Sequence, residues 1–433
     1  MRQLSKNDAA WEKLFQHYNI LDMIQQAGVF QISATQINQF REARLMTKFD
    51  HKMSLPKLFR DHALCILPDS RGTYLIGQFD AYQDVASIHA PPASEPAEFP
   101  FPSNLETIDY ANLYSETSAL LCAYNTGMIA DLVGEDVRLT VMGRMSTAQF
   151  SYQVSDRRSN AGYTITVNSA QCEIDGGFEG DTKLVLIEAK NYTVDDFLIR
   201  QLYYPYRLWR SKTNKEVIPV FMTYSNDVFT FLICKFTDEV KYNSLVIVAE
   251  KTYRIASEQI TLADIYTVYR ETAVQTEPDT VPFPQADNFN RIVDLLGLLY
   301  ESDLTQEQVT AAYQFVTRQT QYYIDACIYL GLVQKSRKGA VSYALSEVGR
   351  TILQQAAKQK YLAIAAIILQ HAVFRKTIDL YWTASKPPSK SEVIEIMRHA
   401  NLRAVNDTTI PRRAQTVLAW VNWILRLQRT EVL

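Results

Sequence analysis

The chain has 433 residues, too many for one ordinary hydrophobic core, so we expect two or three domains. Hydrophobic residues make up 47% and charged residues 21%, which excludes a disordered chain, and five scattered cysteines without CxxC spacing argue against a disulfide framework and a zinc site. The net charge of −3 hides a split, because residues 357–433 hold twelve Lys/Arg and only five Asp/Glu. This basic end indicates either a polyanionic partner or a solvated face.

Three features predict a cytoplasmic protein without a membrane partner. The N-terminal residues lack the basic-then-apolar layout of a signal peptide. The longest apolar run, residues 361–374, is too short to span a bilayer and includes Gln370 and His371, which is typical of a core helix. The odd, unclustered set of cysteines favours a reducing compartment.

Two proline-rich stretches, residues 89–104 and 276–288, predict linkers, because proline disfavours both helices and sheet ladders. The predicted fold class is mixed α/β. It comprises an N-terminal helical segment that contacts DNA, a central domain, a winged-helix domain and a basic helical C-terminal domain, at residues 1–88, 105–275, 289–356 and 357–433.

The central segment has a regular order of elements. Residues 115–134 show helical periodicity, with Ser115 as a cap and Gly134 as a stop. Three strand patterns, a second helix and a last strand follow at residues 136–144, 162–175, 182–190, 194–210 and 217–225. The predicted order is therefore αβββαβ.

Residues 172–190 predict a β-hairpin with an apolar second strand. Gly180 and Asp181 suit a two-residue turn, and counting back from it places Asp175 opposite Leu186. Because strand side chains alternate, the acids and the lysine of the hairpin share one face. The residues predicted on that face are Glu173, Asp175, Glu188 and Lys190.

Carboxylates gathered on one face repel each other, and a divalent cation would turn this penalty into binding. A small set of hard oxygen ligands predicts Mg²⁺. Lys190, one alternation further along, would stabilise an attacking hydroxide or the negative charge that develops on phosphorus. The alternative is that these residues are only the solvated end of a structural hairpin.

Asp175, followed after twelve residues by Glu188-Ala189-Lys190, resembles the signature of the PD-(D/E)XK nuclease superfamily. The αβββαβ order is similar to the restriction-endonuclease-like core of that superfamily. The resemblance implies that Asp175, Glu188 and the carbonyl of Ala189 hold Mg²⁺ and that Lys190 orients and activates the attacking water. It also implies hydrolysis of a phosphodiester bond that leaves a 5′-phosphate.

Residues near the motif would complete this site. Glu116 matches a position where the superfamily often has another acid, although a charge near a helix N-terminus is an equal explanation, and Glu173 is the other candidate. Gln201 resembles the glutamine of the helix after the motif, and Pro205 is expected to end or kink that helix. The basic residues of this helix could follow a phosphate backbone or be merely solvated; they are Arg200, Arg207, Arg210 and Lys212.

Residues 289–356 predict a winged helix-turn-helix unit, with two helices followed by a basic hairpin. The start of the second helix would contact bases and the wing would contact phosphates, whereas contact with another protein is the alternative. The predicted DNA contacts in this unit are Thr317, Arg318, Gln319, Thr320, Gln321, Lys335, Arg337 and Lys338.

Three further segments resemble prokaryotic restriction proteins. Residues 408–424 are similar to a C-terminal pattern of such proteins, and residues 36–59 and 66–79 resemble the front segments of type II restriction endonucleases. The DNA contacts implied by these resemblances are Arg412 and Arg413 near the C-terminus and Arg41, Arg44, Lys48 and Arg71 near the N-terminus.

These observations predict a Mg²⁺-dependent, sequence-specific double-stranded DNA endonuclease of the type II restriction kind. Its expected partners are DNA, a second copy of the chain if the recognition site is palindromic, and a DNA methyltransferase of the host. Two alternatives stay open. The chain could bind DNA without catalysis, or it could be a nuclease that acts on RNA, branched DNA or modified DNA.

Overall fold

A computed structural model describes residues 5–85, 95–158, 162–278, 281–313, 317–336, 341–384, 386–400, 402 and 405–428. The fold is mixed α/β, which confirms the predicted class at that level. All five cysteines are free and buried. Within the described ranges, no helix is both long enough and apolar enough to cross a membrane.

The N-terminal region combines short helices with a small sheet. Its helices are α1 (Lys6–His17), α2 (Ile20–Ala27), α3 (Ala34–Asn38), α4 (Ala43–Thr47) and α5 (Lys57–Asp61), and its strands are β1 (Val29–Ser33), β2 (Cys65–Pro68), β3 (Thr73–Gly77) and β4 (Tyr82–Asp84). The first three strands form an antiparallel sheet in the order β1-β3-β2. Buried Trp11 and Phe59, with ring centroids 4.8 Å apart, lie in the core between these helices.

The central region contains a seven-stranded mixed sheet in the order β5-β14-β13-β12-β10-β9-β6. Its helices are α6 (Glu116–Asn125), α7 (Met128–Val133), α8 (Arg200–Arg210) and α9 (Leu262–Glu271), and its strands are β5 (Ala97–Phe99), β6 (Arg138–Ser146), β7 (Phe150–Ser155), β8 (Gly162–Val167), β9 (Gln171–Glu179), β10 (Lys183–Lys190), β11 (Asp196–Leu198), β12 (Glu216–Ser225), β13 (Val228–Phe236) and β14 (Leu245–Ile255). β10 pairs with β9 antiparallel and with β12 parallel. β11 pairs with β4 of the N-terminal region.

β10 is buried on both faces, which explains its uninterrupted apolar run. Leu184 and Leu186 belong to the core cluster that includes α8, whereas Val185 and Ile187 belong to the cluster that includes α6 and α7. By alternation, the charged residues at the carboxyl end of β10 lie on the same side of the sheet as α8.

Four features of the central region differ from the prediction. The helix predicted at 115–134 is divided into α6 and α7 at Gly127, whose φ of 86° ends one helix and starts the next. The strand predicted at 162–175 is divided between β8, which forms a separate hairpin with β7, and β9. The proline-rich stretch 89–104 contains β5, which extends the large sheet. Of the two effects predicted for Pro205, an end or a kink of the helix, the first does not occur, because α8 continues through this residue.

The C-terminal region is mainly helical, as predicted. Its helices are α10 (Phe289–Glu301), α11 (Gln306–Tyr313), α12 (Thr317–Tyr329), α13 (Glu347–Leu353), α14 (Ala357–Leu369), α15 (Ala372–Ala384), α16 (Lys390–Arg398) and α17 (Ile410–Leu425), and its strands are β15 (Leu304–Thr305), β16 (Val333–Ser336) and β17 (Ser342–Leu345). The strands form a small antiparallel sheet in the order β15-β17-β16. One hydrophobic cluster includes residues from Ile260 to Leu425, so the two predicted C-terminal domains share a core.

Candidate active site

The register of β9 and β10 places Asp175 beside Glu188. Gly176 pairs with Ile187, and the same register continued by one residue brings the two acids together. The turn lies one residue later than predicted: the N–H of Gly180 donates to the carbonyl of Lys183 at 2.9 Å, so Asp181 and Thr182 replace Gly180 and Asp181 as the two turn residues. Every predicted pair is therefore shifted by two residues. A shift of two preserves the alternation, and the acids still share a face.

Glu135 binds the backbone of the displaced turn. Its carboxylate accepts hydrogen bonds from the backbone N–H groups of Thr182 at 3.3 Å and Lys183 at 2.9 Å. A Cβ on Gly180 would clash with the Glu135 carboxylate. A side chain at this position would therefore force Glu135 away from the turn.

Glu173 does not join the site, which corrects the prediction. Between the pairs Val141–Gly177 and Gly143–Ile174, β9 has one residue more than β6, and this bulge reverses the alternation. Ile174 consequently packs in the same core cluster as the α8 side of β10. Glu173 points to the opposite side and its carboxylate lies 3.3 Å from the guanidinium of Arg144.

Asp175, Glu188 and Lys190 are brought together at the carboxyl end of β10. The N–H of Ala189 donates to Asp175 Oδ2 at 2.8 Å. Lys190 Nζ donates to Glu188 Oε1 at 2.7 Å and to the carbonyl oxygen of Ala189 at 2.8 Å. Gln201, from α8, also donates its side-chain N–H to Glu188 Oε1. The site thus contains a bonded acid–lysine pair at the edge of the core, with exposed fractions of 8% for Glu188 and 7% for Lys190.

Glu116, which belongs to α6 and not to α8, also lies close to Lys190. It is in the first turn of α6, and its Oε1 is 3.6 Å from Lys190 Nζ. Burial raises the pKa of Glu116, the charge of Lys190 partly offsets that rise, and Asp175 adds to it. The predicted contribution of an acid from this helix therefore agrees with its position.

The charges at the site perturb one another strongly. Burial raises the pKa of Glu188, and Asp175 and Asp50 add to the rise, whereas the adjacent ammonium of Lys190 favours the carboxylate form and opposes it. Burial alone disfavours the charged form of Lys190, but Glu188 and Glu116 outweigh this effect and raise its pKa. Lys190 therefore remains an ammonium at neutral pH.

The donor set suits a hard cation. Asp175, Glu188 and the Ala189 carbonyl are oxygen ligands of the kind Mg²⁺ prefers. Gln201 Oε1 and Asp50 Oδ1 are buried near Glu188 and have no hydrogen-bond partner among the described residues, so polar space adjoins the carboxylates. Within that same part of the chain, no three His, Cys, Asp or Glu side chains cluster closely enough to form a metal site by themselves.

Two residues of the N-terminal region, Asp50 and His51, lie near the candidate site although they were not predicted to belong to it. His51 is buried, and its Nε2 lies 3.4 Å from the hydroxyl of Tyr192, two residues after Lys190. Asp50 is close enough for its charge to raise the pKa of Glu188. No local pattern identifies these residues, since 141 positions separate His51 from Tyr192.

The predicted recognition helix agrees with the structure only in part. Thr320 is fully buried and bonded to Thr310 at 2.8 Å, so the prediction that it contacts bases is wrong. Gln321 donates to Asp325 at 2.6 Å and is half-buried, whereas Gln319 and Lys335 are exposed. The side chains of Thr317 and Arg318 lie outside the described residues. Arg337 and Lys338 lie outside them entirely.

The other predicted DNA contacts also include both buried and exposed residues. Arg413 is 3% exposed and donates to the carbonyl of Phe283 at 2.6 Å, so its assignment to DNA is wrong, while its neighbour Arg412 is exposed. Arg207 donates to the Tyr203 hydroxyl at 2.8 Å and stacks over Phe150, which supports its packing role.

The remaining basic residues of α8 also contact protein groups. Arg200 lies over the ring of Tyr204, and Arg210 pairs with Glu239 at 2.8 Å. The ammonium of Lys212 lies 5.2 Å from the centre of the Trp209 ring.

Of the N-terminal basic residues predicted to contact DNA, Lys48 interacts with a residue of the candidate site. Lys48 is 66% exposed, lies 3.8 Å from Asp50, and its charge acts on Glu116. Arg44 and Arg71 are exposed. Arg41 is half-buried and pairs at 3.6 Å with Glu307 of α11, so this arginine joins the N-terminal and C-terminal regions.

Comparison with known families divides the chain into three parts. Residues 8–76 match the domain of unknown function DUF6996, residues 77–254 match the domain of unknown function DUF6997, and residues 291–429 match the domain of unknown function DUF7226. No curated protein and no solved structure matches the chain. The first two matches meet at the last residue of β3, and the third runs from the first turn of α10 past the end of α17.

Proposed function

We propose that the protein is a Mg²⁺-dependent DNA endonuclease of the type II restriction kind, with a PD-(D/E)XK site. The observation that carries this proposal is the convergence of Asp175, Glu188 and Lys190 on one side of β10. Gln201 and Glu116 flank these residues from two different helices. A solvated hairpin end would not require a lysine and a glutamate with 7% and 8% exposure.

In this mechanism Asp175, Glu188 and the Ala189 carbonyl would hold the metal. A bound Mg²⁺ supplies Lewis-acid polarisation of a phosphoryl oxygen and lowers the pKa of bound water. Gln201 fixes the Glu188 carboxylate by its hydrogen bond. Lys190, kept protonated by Glu188 and Glu116, would orient the attacking water and stabilise charge on the phosphorus.

Lys190 also contacts two of the proposed metal ligands, Glu188 and the Ala189 carbonyl. Each of these oxygens has lone pairs beyond those that Lys190 uses, so Glu188 and the Ala189 carbonyl could hold a metal beside the ammonium. The ammonium of Lys190 would then lie next to the phosphate, where its charge opposes the charge that builds up during hydrolysis. We infer that metal binding and the placement of Lys190 are linked.

The surrounding architecture supports a DNA substrate. α6, β6, β9, β10, α8 and β12 follow the predicted αβββαβ order, with β7, β8 and β11 inserted. In the C-terminal region, α11 and α12 are followed by the hairpin β16–β17, the element order of a winged helix. We propose that this unit binds double-stranded DNA and that exposed Gln319, Lys335 and Arg412 contribute contacts.

The direct test is incubation of the purified chain with unmethylated phage DNA and Mg²⁺. Wild type is expected to yield discrete bands and Lys190→Ala to yield none. Lys183→Ala is the matched control, because Lys183 lies in the same strand but its Nζ bonds to the Val133 carbonyl at 2.6 Å, at the opposite end. Equal cutting by wild type and Lys190→Ala would remove Lys190 from the mechanism.

The same experiment distinguishes the alternative functions. A smear would indicate cutting without sequence specificity, and parallel digests of RNA, branched DNA and modified DNA would identify another substrate. Salt-sensitive DNA binding without cutting under any divalent metal would favour a binding protein. As further parts of the proposal, the products carry 5′-phosphates, a dimer acts at a palindromic site, and a host methyltransferase protects that site.

A further inference from the structure

We propose that the chain immediately after Lys190 is a connecting segment, residues 191–196, through which both flanking regions position the catalytic lysine. The positioning residues are His51 from the N-terminal region and Asp294 from the C-terminal region. This inference rests on the proposed nuclease function and concerns the control of the same site.

The N-terminal region binds the connecting segment at two points through one imidazole. His51 Nδ1 lies 2.7 Å from the carbonyl oxygen of Asp196, and its Nε2 lies 3.4 Å from the hydroxyl of Tyr192. An imidazole that donates from Nδ1 to the carbonyl has Nε2 free to accept from the tyrosine. The N–H of Lys52 adds a bond to the Asp196 carboxylate at 3.2 Å. Buried His51 thus fixes both ends of a short stretch of chain.

The C-terminal region binds the residues between those points. Asp294, on α10, accepts from the N–H of Thr193 at 3.5 Å and from the hydroxyl of Ser225 at 2.8 Å. One turn earlier on the same helix, Arg291 pairs with Asp195 at 2.9 Å. Because Ser225 ends β12, which pairs in parallel with β10, Asp294 holds the connecting segment against the strand next to the catalytic one.

The contacts with the C-terminal region lie between those with the N-terminal region. The Tyr192 hydroxyl and Asp196 are bonded to the N-terminal region, whereas the N–H of Thr193 and the carboxylate of Asp195 are bonded to the C-terminal region. The main-chain carbonyl of Asp195 also accepts from the N–H of Val85 in the N-terminal region at 2.9 Å. The flanking regions contain the proposed DNA contacts, so a DNA duplex that moves either region also acts on the main chain that leaves Lys190. A displacement of about 1 Å at a reacting group costs roughly 100-fold in rate.

The experiment measures cleavage kinetics and hydrogen exchange in five variants. His51→Ala and Asp294→Ala remove the two positioning residues, and His51→Asn keeps a donor toward Asp196 but not the contact with Tyr192. Asp294→Asn keeps an acceptor for Thr193. Tyr242→Phe is the matched control, because the Tyr242 hydroxyl joins the central and N-terminal regions at the Ala81 carbonyl, 3.1 Å away, without touching the connecting segment.

We expect the two alanine variants to lower kcat about 100-fold while KM for DNA changes less than about twofold. Asp294→Asn should restore kcat to near the wild-type value, and Tyr242→Phe should leave it unchanged. Amides of residues 191–196 should exchange faster in both alanine variants, while those of β9 keep their protection. His51→Asn should lower kcat with normal protection at the Asp196 end, which also provides a test if His51→Ala does not fold.

Wild-type kcat in both alanine variants, despite faster exchange of residues 191–196, would overturn the inference and leave the nuclease proposal intact. A fall in kcat for Tyr242→Phe equal to that for His51→Ala would also overturn it, because a general loss of domain contact would then explain both. If wild type does not cut DNA, the nuclease proposal fails and positioning of a catalytic lysine fails with it.

Discussion

Replacing Asp294 with asparagine should make the stability of the protein less dependent on pH. Asp294 is 7% exposed, and burial raises the pKa of its carboxyl group to about 7, while bonds from Ser225 and Thr193 offset part of the rise. Arg291 also lowers this pKa, and Lys360 and Asp227 line the same small cavity. The titration of a single buried group can therefore be isolated by an isosteric change.

The direction of this pH dependence follows from the pKa of Asp294, which is higher in the folded protein than in the unfolded chain. An aspartate in an unfolded chain has a pKa of about 3.9, so near pH 5 the folded protein binds a proton that the unfolded chain has released. This contribution is fully present at low pH and is lost as the pH rises through about 7. At about 1.4 kcal/mol per pKa unit, the roughly two units between pH 5 and the folded pKa correspond to a loss of about 3 kcal/mol by pH 8.

The assay is urea unfolding of wild type and Asp294→Asn at pH 5 and pH 8, followed by tryptophan fluorescence. Taking the difference between the two proteins at each pH cancels the titration of all other groups. The loss of the hydrogen bond from Asn226 should cost the variant about 1 kcal/mol at both pH values. The variant should nevertheless gain about 3 kcal/mol relative to wild type between pH 5 and pH 8. A difference in the free energy of unfolding that is the same at both pH values would refute the titration assigned to Asp294. Asp303→Asn, at an exposed position, serves as the control.

Three further predictions address the site and its surroundings. Lys190→Met should lower the cleavage rate at least about 100-fold, with unchanged affinity in a gel-shift assay. Arg413→Ala should lower the melting temperature, because it leaves a buried carbonyl unpaired, whereas replacement of exposed Arg412 with alanine should lower DNA affinity without that loss. Gly180→Ala should destabilise the protein through its clash with Glu135, and a double-mutant cycle should show that Glu135→Ala costs less in that background.

Local patterns predicted the central strands well because those strands are specified by their own residues. The strands predicted at 182–190 and 217–225 correspond to β10 and β12 within one residue. The helix predicted to start at residue 194 begins only at Arg200, because Asp196–Leu198 pairs with β4 of the N-terminal region. A pairing partner from a distant part of the chain overrides a local helical pattern, and nothing within the segment itself signals that partner.

The face of each acid could be predicted only as far as the bulge in β9. An apolar pattern of period two determines sides only in a continuous strand, and the Gly176-Gly177 pair permits an extra residue without indicating that it is present. Asp175 follows the predicted side because it lies within the register of β10. Glu173 lies beyond the bulge, and its side is reversed.

Helical periodicity alone indicates that two of the residues assigned to the DNA interface, Arg413 and Thr320, belong to the core. Arg413 lies four and seven positions before Val417 and Trp420, so it falls on the apolar stripe of α17. Thr320 has the same spacing to Ile324 and Cys327 in α12, and all three are fully buried. Residue type favoured a DNA contact at both positions, whereas helical position favoured the core. Helical position correctly indicated burial because an amphipathic helix must place its apolar stripe against the core, whichever polar residues lie within that stripe.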